Sequence, residues 1–142
     1  MFYIQNMFKS FANILFSFCV LFISSSITVW VKVFEDHFKG SSLDSSNWYY
    51  SSHCNQYELQ CYTVDRKQNL KVKNGRLLII PRIEKWFNKS YTSVRINSKK
   101  SWTYGRFEVR ARLPSGKHLW PAIWLMPAHY DYGPWAAGGK LS

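Results

Sequence analysis

The chain has 142 residues, 46% hydrophobic and 18% aromatic, which is enough apolar surface to offset the entropy of ordering and excludes a disordered chain. Lys and Arg number 19 against eight Asp and Glu, a formal net charge of +11. Seven Trp, nine Tyr and ten Phe exceed what a core of this size needs and point to a surface that binds by stacking, while eight carboxylates are few for acid–base catalysis.

Residues 1–26 hold one charge, Lys9, then an apolar run from Ile14 to Ile23, then Ser24, Ser25 and Ser26. This is the order of a secretory signal peptide, with cleavage expected close to Ser26. A membrane anchor is the competing reading, but it needs roughly 20 apolar residues and this run is about half that. No later stretch is long and apolar enough to span, so the expected product is a soluble, secreted, extracellular domain of residues 27–142, free of the membrane once the leader is cut.

Export governs the cysteines. Cys19 leaves with the leader, and Cys54 and Cys61 remain, seven positions apart. An oxidising compartment favours a small-loop disulfide between them over two reduced buried thiols. No metal site is expected, because no second Cys or His pair stands at zinc-ligand spacing and His37, His53, His118 and His129 are scattered. Asn88-Lys89-Ser90 is a glycosylation sequon, usable on a secreted surface, although one such triplet in this length also arises by chance. Export and the even spread of the basic residues argue against nucleic acid as a partner. A solvated basic surface is the plain reading, and affinity for an anionic glycan or cell surface the sharper one.

Strand signals fill the rest. Leu70–Val72 and Leu77–Ile80 flank Asn74-Gly75, the pair that supplies the positive-φ positions of a tight hairpin, and Pro81 closes the second strand. Thr92–Ser98 reads as one short strand. Across Gly105–Leu113, Phe107, Val109, Ala111 and Leu113 alternate with Arg106, Glu108, Arg110 and Arg112, one face for a core and one for solvent or ligand. Leu119–Met126 is an aromatic-rich apolar run between Pro121 and Pro127. No 3.6-residue stripe follows the leader, and many short strands with turns between them predict an all-β sandwich or barrel.

Five segments in order carry a resemblance. They are Phe34-Glu-Asp-His-Phe38 with Leu43-Asp-Ser-Ser-Asn-Trp48, Glu58-Leu-Gln-Cys-Tyr-Thr63, Tyr91-Thr-Ser-Val-Arg-Ile96, Tyr104–Gly116 continuing into Leu119–Pro127, and Tyr132-Gly-Pro-Trp135. Together they resemble glycoside hydrolase family 16, the laminarinase-like β-1,3-glucanases and the β-glucan recognition proteins of invertebrates, over about residues 34–142. The resemblance implies a concanavalin-like jelly-roll β-sandwich, here its N-terminal half, with a concave face for a β-glucan chain and no cofactor. Sugar rings offer flat C–H faces, and burying them against aromatic rings gains roughly 25 cal/mol per Å². By motif position Trp120, Trp124 and Trp135 are the stacking candidates and Arg95 the candidate for hydroxyl hydrogen bonds. Trp124, whose alternation partners are apolar, fits core packing equally, and Arg95 equally fits a solvated strand position. Glu58 and Gln60 alternate with Leu59 towards the cleft rim.

Hydrolysis asks for more. A retaining glycosidase uses two carboxyl groups about 5–5.5 Å apart, and the family delivers them with G-E-I-D-I-x-E. Anchored on Tyr132-Gly-Pro-Trp-Ala-Ala137, that motif sets Lys140 on the nucleophile and Ser142 on the assisting Asp, with the acid/base beyond the last residue. An ammonium cannot attack as a carboxylate does. Of the other acids, Glu35 and Asp36 are adjacent and face opposite ways on a strand, and Asp44, Glu58, Asp65, Glu84, Glu108 and Asp131 are isolated. The expectation is a family-16 glycosyl hydrolase-like chain of carbohydrate metabolism, cut before its catalytic carboxylates, inactive and marginally stable alone. A secreted, non-catalytic β-glucan-binding protein is the alternative, and a gene fragment without function the third reading.

Overall fold

The computed structural model describes residues 2–8, 29–129, 131 and 133. Ten strands make it up: β1 (Phe2–Phe8), β2 (Val29–Asp36), β3 (Trp48–Tyr50), β4 (Gln60–Tyr62), β5 (Leu70–Lys73), β6 (Arg76–Ile79), β7 (Arg82–Trp86), β8 (Lys89–Ser93), β9 (Ile96–Ser98) and β10 (Arg106–Val109). They form four small sheets, ordered β10–β1–β2, β3–β9, β4–β8–β7 and β5–β6. Every ladder is antiparallel except β4 with β8. The chain divides into two compact units, Met1–Val109 with all ten strands and Arg110–Ser142. Among the described residues no helix is long and apolar enough to cross a membrane.

The β5–β6 hairpin follows from its turn. Asn74 and Gly75 take φ values of 54° and 66°, the two left-handed positions of a turn whose twist matches the strands. A Cβ on Gly75 would meet only ordinary contact, 3.5 Å from the His37 carbonyl, so backbone conformation rather than space selects glycine there. Register then runs from Lys73↔Arg76 to Leu70↔Ile79. Leu70 and Val72 are buried while Lys71 and Lys73 are exposed, the alternation of a strand with one wet face.

Two expectations change. The stretch 92–98 is not one strand: β8 starts earlier, at Lys89, and β9 begins at Ile96 after a break. At the break the chain changes sheets, leaving β4 and β7 for β3, while the Arg95 carbonyl accepts the Ser51 amide at 2.9 Å. The stretch 105–113 yields only β10, whose pairing with β1 ends at Val109. Phe107 packs on Trp102 at 6.4 Å between ring centroids, but Val109 is 38% and Leu113 60% exposed. Alternation alone does not bury a face, and no described strand continues the ladder beyond Val109. Of the leader, Phe2–Phe8 forms β1, while the apolar run and the cleavage point after Ser26 lie outside the described residues.

Two buried clusters hold the larger unit. Phe34 and Trp48 form one, with Trp102 against Phe34 at 5.2 Å, and Leu70, Val72 and Val94 form the other. Phe38, Leu43 and Ile96 touch both and join them. Each fully buried aromatic or aliphatic side chain contributes about 1.5–3 kcal/mol over its exposed state. Asp36 fixes the joint: one carboxylate oxygen accepts from Trp48 Nε1 and the other from the Phe38 amide, both at 2.6 Å, as Phe38 turns through φ 50°.

Candidate functional site

The short strand β4 has two chemically different faces. Cys61 and Thr63 point inward and are buried, and opposite Cys61 in the parallel ladder stands Thr92, itself fully buried. Gln60 and Tyr62 point the other way, half-buried, and pair with Tyr91 and Ser93. Paired residues of a ladder share a face, so β4 and β8 present Gln60, Tyr62, Tyr91 and Ser93 together.

Hydrogen bonds tie this outer row. Gln60 Nε2 donates to Glu58 Oε2 at 2.8 Å and to the Tyr62 hydroxyl at 2.9 Å. The His53 ring meets Tyr62 edge-on at 5.0 Å, and the His53 carbonyl accepts the Tyr62 amide at 2.9 Å. Lys89 Nζ donates to the Glu58 carbonyl at 2.5 Å, which fixes the approach to β4. Burial pushes the Tyr62 phenol above its ordinary pKa; the Gln60 bond lowers it, the Glu58 charge raises it, and the Arg95 charge lowers it. Arg95, in the break between β8 and β9, therefore lies within electrostatic reach of this row. The row holds a carboxylate, an amide, two phenols, an imidazole and a guanidinium, donors and acceptors interleaved with ring faces.

Behind it, the inner face is a closed polar network. Asn69, fully buried, accepts from Thr63 Oγ1 and Arg66 Nη1 at 3.0 Å each and donates to the Ile80 carbonyl at 3.1 Å and Thr92 Oγ1 at 2.9 Å. Thr92 Oγ1 in turn donates a hydrogen bond to Glu84, which also takes a two-pronged bond from Arg66 at 2.5 and 3.0 Å. The Arg66 guanidinium lies 4.7 Å from the centre of the Trp86 ring. The Arg66 bond, with Thr92 and the Arg66 and Arg82 charges, holds the Glu84 carboxyl at a pKa of about 2. A group so strongly ionised is no proton donor at neutral pH.

Cys54 and Cys61 are joined by a disulfide that pins the 54–61 loop to β4. Asn88 is exposed in the two-residue turn between Trp86 and Lys89, next to Phe87 at φ 52°. In the smaller unit Trp120 is 78% exposed and Trp124 half-buried. Trp135, Lys140 and Ser142 lie outside the described residues. Among the described residues no three His, Cys, Asp or Glu gather as they would around a metal ion. Sequence reasoning named Arg95, Glu58 and Gln60 and missed Tyr62, Tyr91 and His53. Extending the 58, 60 alternation two residues would have found Tyr62; Tyr91 and His53 needed the pairing.

The family model for glycosyl hydrolases family 16 matches residues 37–134. The glucan endo-1,3-beta-glucosidase of Cryptopygus antarcticus is 38% identical over 135 residues, 89% of this chain and 49% of that protein. A beta-1,3-glucan-binding protein of Penaeus monodon is 46% identical over 52 residues, 35% of this chain and 14% of its own length. The X-ray structure of the laminarinase from Rhodothermus marinus aligns with a TM-score of 0.72 at 43% identity, over 76% of this chain and 46% of that one. The fold is thus the all-β jelly-roll sandwich that the motifs implied. The chain spans about half the length of the glucanases it matches, and its relatives include both enzymes and glucan-binding proteins.

Proposed function

This chain belongs to glycosyl hydrolases family 16, and from that membership we propose that it binds a β-1,3-glucan along the outer face of β4 and β8 without hydrolysing it. The observation that carries the binding is the linked row Glu58–Gln60–Tyr62 beside Tyr91 and Arg95. Glucan hydroxyls both donate and accept, so a carboxylate, an amide, phenols and a guanidinium in one row satisfy them whichever way they turn. The Tyr91 ring, 41% exposed, offers an apolar surface for a sugar's C–H face. Separately, Trp120, Trp124 and Trp135 of the second unit are stacking candidates by motif position, and Trp120 is 78% exposed.

Silence in catalysis is supported by chemistry at the motif. Lys140 and Ser142 stand where the family's pattern has a nucleophile and its assisting acid, and an ammonium is no carboxylate nucleophile. Glu84, ionised down to a pKa of about 2, is no proton donor at neutral pH. A relative from Penaeus monodon carries the name of a glucan-binding protein, so binding is one outcome this family reaches. We read residues 1–26 as a leader cut after Ser26, residues 27–142 as the exported domain and Asn88 as a glycosylation site. The Cys54–Cys61 disulfide supports an oxidising destination.

Sedimentation with insoluble β-1,3-glucan, paired with a reducing-sugar assay, tests the proposal. The chain is expected in the pellet, with no reducing ends released. Release of reducing ends by this chain would overturn the catalytic silence. A folded chain that stays in the supernatant would overturn the binding.

A further inference from the structure

Among the described residues β2 and β10 have no hydrogen-bonded strand partner except β1, which lies between them. With β2 it pairs along its whole length, from Phe2↔Asp36 to Phe8↔Val29, with one irregularity after Ile4. With β10 it pairs from Phe2↔Val109 to Gln5↔Arg106. Both ladders are antiparallel. Withdrawing β1 leaves two strand edges facing each other about 10 Å apart, twice the spacing of neighbouring strands. These edges matter to the core, since β2 carries Phe34 and β10 carries Phe107. An open slot of this kind is a template for one more strand. The seven residues that fill it belong to the segment whose composition reads as a cleavable leader.

We propose that the gap between β2 and β10 is a strand-accepting site and that the chain's own Phe2–Phe8 is its occupant. While the leader is attached, it closes the sheet; its removal leaves β2 and β10 without a hydrogen-bonded strand partner among the described residues. Recognition is by main-chain donors and acceptors, with aromatic and β-branched residues in Phe2-Tyr-Ile suiting a pleated surface. The removal step rests on the leader reading above. The occupancy does not, so the two fail separately.

The test uses the full chain of 142 residues made without export, so that residues 1–26 stay on. Ile4→Pro removes a donor and fixes φ within β1. Amide hydrogens of β2 and β10 are expected to exchange about tenfold faster in that variant, while those of the β5–β6 hairpin keep their rate. Equal exchange in β2 and β10 overturns the proposal. A second measurement does not depend on the proline variant folding. In a Cys19→Ser background, Gln5→Cys with Arg106→Cys, a registered pair, is expected to form an intramolecular disulfide. Gln5→Cys with Glu108→Cys, a diagonal pair about 7–8 Å apart, is expected to stay reduced. Failure of the registered pair to cross-link overturns the proposal, and so does a cross-linked dimer, which would make the occupant a strand of a second copy.

Discussion

The two faces of β4 and β8 share a backbone and differ in almost everything else. On the inner face Thr63, Asn69 and Thr92 are buried and bonded to one another, and the chain Arg66–Glu84–Thr92–Asn69 closes on itself. On the outer face Gln60, Tyr62 and Arg95 are half-buried and Tyr91 is exposed, with Gln60 bonded to the Tyr62 hydroxyl. Buried polar groups that are fully satisfied specify one arrangement, and leaving one partner unmet costs more than the bond itself gained. The inner face therefore holds the fold, and the outer face is the one proposed to serve a ligand. Alternation along a strand lets both tasks occupy consecutive residues.

Substitutions on the two faces should separate these tasks. The largest effect is expected from Asn69→Ala, which removes the acceptor of Thr63 and Arg66 and the donor to Thr92 and the Ile80 carbonyl. A loss of about 3 kcal/mol follows from unmet buried groups, read by denaturant unfolding, with glucan affinity unchanged at temperatures where the variant stays folded. Next comes Cys54→Ser with Cys61→Ser. Opening so short a loop costs about 2 kcal/mol in the loop-closure picture, and, because the bridge anchors the approach to β4, glucan sedimentation should weaken as well. Gln60→Ala should do the reverse of Asn69→Ala, lowering glucan affinity about fivefold through one lost hydrogen bond, about 1 kcal/mol, while the melting temperature stays within the error of calorimetry. An unfolding penalty at Gln60 equal to that at Asn69 would break the division between the faces.

The smallest expected effect is a slope with pH. Glu84 has its carboxyl at about 2 in the folded chain against 4.5 as the ordinary value. A depressed pKa means stability that is fully present above pH 4.5 and is lost as pH falls towards about 2. Melting temperatures taken across that window should fall for the native chain and run flatter for Glu84→Gln. A slope of equal size in both would show that Arg66 and Thr92 do not hold Glu84 as drawn.

Much of the fold was legible because it is local. Asn74-Gly75 encodes its own hairpin, and the Leu70, Val72 alternation encodes its buried side. The change of sheet between Ser93 and Ile96 was not legible, because alternation runs on through a break that only the positions of β3 and β4 create. For the same reason the pattern of 105–113 overstated β10. Within the site, Glu58, Gln60 and Arg95 showed in motif and period, but Tyr91 joined them only through a parallel register. The inner network was invisible, since Asn69, Glu84 and Thr92 come from three separate segments.

That parallel register also sets an order of events in time. The hairpins β5–β6 and β7–β8 join residues a few positions apart, and such pairs close in about 1–10 μs. Gln60 and Tyr91 meet only after the intervening chain has found its shape, and pairings of long sequence separation are the slow ones. The outer face exists only once that ladder has zipped. Competence to hold a glucan should therefore appear with the last kinetic phase of refolding and not before it.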